Sequence, residues 1–324
     1  MRATPYQSAS LQRVFGLAHA HLIVAILILL LLSSVAKGAG EILIVKSSEA
    51  EPYQQAEAVV RDELTRRHYS VHASSLKDIA QSGAAAVRQS TAVLAVGTPA
   101  ARFLHAQLPA NVPLIYCMVS NPQESGLLQG RESWGVTTDV ALAEQMKVIA
   151  DALPQARVVG LLYRGDDAEG KRLDQQMQRS VPAGWRVEAV AVNEFPSVAA
   201  AIAALTQKKL DIIWTTADPR LYDTAAVRSL LLSALRSKIP VWGFSPAFVR
   251  AGGLLGVGVE PKAQGKQAAE LLVNLLEQPS SITERVQPAR EYQIAVNLIV
   301  ARQLGVQVPD EFVRKAAFVF RGEN

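Results

Sequence analysis

One cysteine, Cys117, is all that the 324 residues contain. That excludes an intramolecular disulfide, a multi-cysteine metal site and an N-terminal lipid anchor on cysteine. The apolar neighbours of Cys117 describe a buried, inert thiol. A charge excess is lacking as well. The formal net charge is +4, but Arg2, Arg13 and Lys37 all precede the first acidic residue, Glu41, so residues 41–324 carry 30 basic against 29 acidic side chains. A body so nearly neutral has no broad field for phosphate, and nucleic acid is not an expected partner. Long apolar runs are scarce too. The longest, Leu22–Leu32, has eleven residues, well short of the roughly 20 that cross a bilayer as a helix.

That run has arginines before it and the small residues Ala36 and Gly38 after it. This is the order of a secretory signal peptide, residues 1–38, cleaved before Ala39. An uncleaved anchor is the alternative, since Val14–Ala36 reaches 23 residues if His19 and His21 are tolerated. Either way the body faces the outside of the inner membrane, and a periplasmic location is expected.

With 49% hydrophobic residues the body can bury a large core. From Glu41 onward short apolar runs alternate with amphipathic stretches. The runs include Ile42–Val45, Ala92–Val96, Pro113–Val119, Val158–Tyr163, Val187–Val192, Ile212–Thr215, Ile239–Phe244 and Leu254–Val259. Most are continuously apolar, as strands covered on both faces should be. Between them Gln54–Arg67 and Lys262–Gln278 carry an apolar stripe at helical spacing. This alternation predicts parallel α/β architecture. Two similar strand–helix–strand units, Val93–Pro122 and Asp211–Pro246, suggest two lobes joined by short hinges.

Four runs end alike, in Thr98-Pro99, Asn121-Pro122, Asp218-Pro219 and Ser245-Pro246. A small polar residue followed by proline is a helix start, the side chain capping free N–H groups and the proline having none to waste. In an open parallel sheet these endings also lie where ligands bind, beyond the carboxyl ends of the strands. Catalytic sets are missing. Gly243-Phe-Ser-Pro-Ala247 approaches a hydrolase nucleophile elbow, but the residue after Ser245 is Pro246, which lacks the N–H that an oxyanion hole uses. His68 and His72 have the spacing of a helical metal pair where the helical pattern has already ended. The charged run Arg164–Arg172 is simplest as a solvated loop and helix start, and Tyr116, Trp134 and Phe244 suit either core packing or stacking on a ligand.

Six segments in order carry a resemblance. They are Val96–Ala101, Pro113–Pro122 with Gly126–Leu128, Gly135–Asp139, Val158–Tyr163, Lys238–Ser245 and Gly265–Glu270. Over roughly residues 41–315 the chain resembles the periplasmic substrate-binding proteins of ABC transporters, in the branch that includes tryptophan- and tyrosine-type binders. The resemblance implies a type I periplasmic-binding fold, each lobe a parallel sheet flanked by helices, with the ligand in the cleft between them. Lobe 1 would be 41–137 plus 259–281, and lobe 2 would be 138–258 plus 282–324. It implies a non-enzymatic solute-binding protein of an ABC-type system that captures a small polar or amino-acid-like ligand by hinge closure. It would be a monomer, free of metal and cofactor, partnered by an inner-membrane permease. A ligand sensor feeding a membrane receptor or kinase is the alternative, with an α/β hydrolase behind it. Carried over by position, the ligand-binding residues are Thr98, Ser120 and Asn121 from lobe 1, Asp139 near a crossover, and Tyr163, Asp218 and Ser245 from lobe 2, with Ser47 and Ser48 as additions. Asp139 or Asp218 would receive an ammonium group. Ala217-Asp-Pro219 departs from the Thr-Asp-Asn common in such proteins.

Overall fold

The computed structural model describes residues 40–82, 87 and 89–322. The signal or anchor segment at 1–38 lies outside the described residues. Among those described, no helix is long and apolar enough to cross a membrane.

The chain builds two sheets. The first holds β1 (Glu41–Lys46), β2 (Ser70–Ser75), β3 (Ala92–Val96), β4 (Leu114–Val119), β5 (Trp134–Val140) and β11 (Val286–Ala289), in the order β11-β5-β4-β3-β1-β2. The second holds β6 (Val158–Tyr163), β7 (Arg186–Ala191), β8 (Ile212–Trp214), β9 (Val241–Gly243), β10 (Leu255–Gly258), β12 (Gln293–Asn297) and β13 (Phe318–Phe320), in the order β13-β12-β10-β9-β8-β6-β7. Every pairing is parallel except β10 with β12. Each sheet thus repeats one winding, in which the second strand flanks the first and the chain then reverses to add the third, fourth and fifth.

The continuous apolar runs are explained by period two. Along β1, Ile42 and Ile44 enter one core while Leu43 and Val45 enter another on the opposite face. Helices α1 (Glu51–Arg66) and α9 (Pro261–Glu277) cover the first face with Ala56, Val60, Leu64, Leu271 and Leu272. Helix α3 (Thr98–Gln107) covers the other with Ala100, Ala101 and Leu104. The remaining helices follow the same chain order. They are α2 (Leu76–Ser82), α4 (Leu142–Ala152), α5 (Ala168–Ser180), α6 (Val198–Thr206), α7 (Thr224–Arg236), α8 (Pro246–Ala251), α10 (Leu298–Leu304) and α11 (Asp310–Lys315). In the second sheet α4 covers one face with Met146 and Ile149, and α6 and α7 cover the other with Ile202, Leu205 and Leu230.

The chain passes between the sheets after Val140, between Gly258 and Pro261, and between Ala289 and Gln293. The sequence reading begins the last piece of lobe 2 at residue 282, yet β11 pairs with β5 within the first sheet, Val286 opposite Gly135. β11 has only four residues, one of them Pro288, so nothing in the local pattern announces it.

Helices α1 and α9 approach closely at Gly265, where an added Cβ would stand 2.4 Å from the Ala56 carbonyl oxygen. Gly265→Ala is therefore expected to lower stability by about 1–3 kcal/mol. A fall in the urea midpoint at unchanged slope checks it.

Candidate functional site

The carboxyl ends of β4 and β5 face those of β6, β8 and β9 across a cleft. Two adjoining cavities fill it, of about 290 and 330 Å³. Both are lined by Asp139, Val140, Gln145, Trp214, Thr216 and Ala217, so they adjoin along the first crossing.

The cleft floor comes from the core. Trp214 ends β8 and is only 3% exposed, yet it borders both cavities. Its indole N–H donates to Gln145 Oε1 at 2.8 Å, and Gln145 Nε2 donates to the Val140 carbonyl at 2.6 Å. Gln145 therefore fastens the indole to the strand that crosses between the sheets.

The first cavity is charged. Asp139, Glu169 and Asp218 line it together with Arg164, Arg172 and Arg220. Arg164 pairs with Asp167 at 3.0 Å, and Arg220 reaches Asp218 at 3.2 Å. Among the described residues neither Arg172 nor Asp139 has an ion-pair partner. Asp139 keeps solvent access, yet desolvation by the surrounding protein still pushes its carboxyl above the ordinary aspartate range, the Asn121 backbone N–H opposing the rise and Glu169 adding to it. Glu124 is also pushed up, chiefly by desolvation, with Asp218 and Glu169 raising it further against the pull of Arg220. The second cavity is less charged, Asp139 being the one ionic side chain among its described lining residues, with Phe244, Pro246, Val257, Val259 and Phe318 beside Ser245.

Of the residues expected from sequence, Ser120, Asn121, Asp139 and Asp218 meet in the first cavity, and Ser245 lines the second with Asp139. Ser47, Ser48, Thr98 and Tyr163 border neither. Tyr163 packs its ring against the core of the second sheet instead.

The expected helix caps divide the same way. Ser245 caps α8, its hydroxyl accepting from Phe248 N at 3.2 Å. Thr98 starts α3 without capping it. Gly97, at φ 94°, turns the chain so that Ser47 takes that place, accepting from Ala100 N at 3.1 Å and donating to the Val96 carbonyl at 2.9 Å. A Cβ on Gly97 would stand 2.5 Å from the Ser47 hydroxyl. Asn121 and Asp218 begin turns rather than helices. Asn121 accepts from Glu124 N at 3.1 Å and Asp218 from Arg220 N at 2.9 Å, while the helix after β8 waits for Asp223 to cap it from Ala226 N at 2.7 Å. An Asn or Asp side chain satisfies a nearby N–H whether or not a helix follows, which is why the dipeptide alone does not distinguish the two.

Arg164, Glu169, Arg172, Arg220, Gln145 and Trp214 are the cleft residues that sequence reasoning missed. The run Arg164–Arg172 is not merely solvated, because it begins at the carboxyl end of β6 and so falls on the cleft edge. Its place directly after an apolar run was the available signal. Cys117 is wholly buried and burial pushes its thiol up to about 12, as expected for an inert thiol.

Residues 58–320 match the protein family described as ABC transporter substrate binding protein. No curated protein matches the chain. Similar solved structures include an ABC domain in complex with L-Trp from Streptococcus pneumoniae, at 20% identity over 87% of this chain and 100% of that one, with a TM-score of 0.54. A ligand-free, open substrate binding protein with adhesive properties from Clostridium difficile shares 18% identity over 88% and 100%, with a TM-score of 0.63. A conserved domain protein from Vibrio cholerae shares 20% identity over 87% and 100%, with a TM-score of 0.53.

Proposed function

The chain belongs to the family of ABC transporter substrate-binding proteins, and from that premise we propose that its cleft captures an amino-acid-like zwitterion by closure of two lobes. The fold is of the type I periplasmic-binding kind, and a solute-binding function goes with the family. Lobe 1 is the first sheet with its helices, residues 41–140 and 261–289. Lobe 2 is residues 142–258 and 293–320.

One observation carries the ligand class. A carboxylate and a guanidinium without ion-pair partners among the described residues, Asp139 and Arg172, line the same cavity, beside the buried face of Trp214. Asp139 receives the ammonium group and Arg172 the carboxylate, each charge-assisted hydrogen bond contributing about 1.5–3 kcal/mol. Ser120, Asn121 and Asp218 complete the polar wall, and Trp214 with Phe244, Val257 and Phe318 of the second cavity receives the side chain. The structure of a relative bound to L-Trp is in keeping with this reading. Closure follows because a ligand touching both lobes binds the closed form better than the open one. The protein acts in the periplasm after loss of its leader and delivers its solute to an inner-membrane permease. No chemical step is involved, the Ser245 hydroxyl being occupied as a helix cap.

Thermal shift against a panel of L-amino acids, sugars and polyamines tests the proposal. An amino acid is expected to raise Tm in proportion to the logarithm of its concentration. Stabilisation by sugars alone would overturn the assignment.

A further inference from the structure

We propose that Arg220 and Glu124 form a latch that holds the two lobes together before any solute arrives. Arg220 sits in the loop after β8, in the second lobe, and Glu124 in the loop after β4, in the first. Arg220 Nη2 stands 2.5 Å from Glu124 Oε1. The same guanidinium lies 3.4 Å from Asp167, 3.6 Å from Glu169 and 3.2 Å from Asp218, all in its own lobe. A second bond runs beside it, from Asn121 Nδ2 of the first lobe to Glu169 Oε1 at 3.1 Å. Asn121, Glu169, Asp218 and Arg220 are also lining residues of the charged cavity, so both bonds bridge its wall.

The arrangement is made to release. When the lobes part, Arg220 keeps three carboxylate partners and loses only Glu124. The Arg220 and Glu124 side chains remain 41% and 28% exposed. An ion pair so open to solvent is weak and is screened by salt. It biases the hinge without locking it.

The latch also has a signature of sign. Without Arg220, the carboxylates of Asp167, Glu169 and Asp218 face Glu124 with Arg164, already paired with Asp167, left to offset them, and net attraction turns into repulsion. Arg220→Gln must therefore open the lobes more than Glu124→Gln does. Adding Glu124→Gln to Arg220→Gln must close them again in part, since it removes the repelled charge.

Single-molecule energy transfer across the cleft tests this on the full chain, with dyes on Ala58→Cys of α1 and Gln175→Cys of α5, both exposed positions. The native Cys117 is wholly buried and does not compete for label. The open fraction of the solute-free protein is expected to rise about two- to fivefold in Glu124→Gln, and by more in Arg220→Gln. Raising sodium chloride from about 50 mM to about 1 M should produce a similar rise in the unsubstituted protein and little in Glu124→Gln. That salt arm needs no latch substitution, so misfolding of a variant cannot imitate it. Distributions that coincide for all variants at both salts would overturn the latch, as would opening in Arg220→Gln with none in Glu124→Gln. Because no solute is present, this outcome is separate from the fate of the amino-acid assignment.

Discussion

Gln145→Leu is expected to destabilise the protein by about 2–5 kcal/mol and to alter the native tryptophan emission. The side chain is 9% exposed and serves two buried groups at once, accepting from the Trp214 indole and donating to the Val140 carbonyl. Leucine fills much of the space but leaves both groups without a partner, at about 1–3 kcal/mol each. Urea unfolding measures the cost, and fluorescence reports the freed indole. Gln145→Glu should be damaging in a different way. It keeps the acceptor for Trp214 but loses the donor to Val140, and it sets a second carboxylate near Asp139. The site suffers along with the fold, because Gln145 joins the cleft floor to the crossing strand. An unchanged urea midpoint would mean that water replaces the amide and that the floor stands without it.

Asp139→Asn is expected to weaken amino-acid binding by about ten- to a hundredfold, the loss of one hydrogen bond between charged groups. Arg172→Ala should lose a similar factor. A pH profile sharpens the first case. The ammonium group needs Asp139 ionised, and the folded protein holds that carboxyl above its usual 3.8. Binding should therefore fall away on acidification sooner than an ordinary aspartate would dictate. The sign for stability runs the other way. A raised carboxyl favours the protonated form in the native state, so ionising Asp139 removes stability as pH rises from the unfolded value through the folded one. Asp139→Asn escapes that penalty, and the ligand-free variant should melt no lower at neutral pH than the natural protein. Loss of binding without loss of stability marks a residue kept for its ligand. A fall in both would make Asp139 a structural residue.

How far the sequence could be read differs sharply between core and cleft. The inner strands β1, β3, β4, β6 and β8 are apolar on both faces, and continuous runs betray them. The strands β11 and β13 at opposite sheet edges are three or four residues long and partly exposed, so neither period nor burial marks them. β12 runs directly into α10 through Ala295-Val-Asn-Leu-Ile299, where the single polar residue Asn297 ends the strand and caps the helix, leaving no loop to separate the two in the pattern. In the cleft, the polar strand ends pointed to Asn121, Asp218 and Ser245 but also to Thr98, which borders neither cavity, while Ser120 and Asp139 came by position from the family resemblance. Trp214 and Gln145 were invisible because each looks like an ordinary core or helix residue until their hydrogen bond is seen. Arg220 and Glu124 meet only through the tertiary fold, across 96 positions, and no local spacing encodes them.

The late pairing of β11 with β5 bears on how the polypeptide is made. Val286 registers with Gly135, and α9 supplies Leu271 and Leu272 to the core under β1. The amino-terminal half thus cannot finish folding until more than four-fifths of the ribosome's work is done. During that wait α1 shields only part of the apolar underside of its sheet, and the stretch that α9 will cover stays open to water.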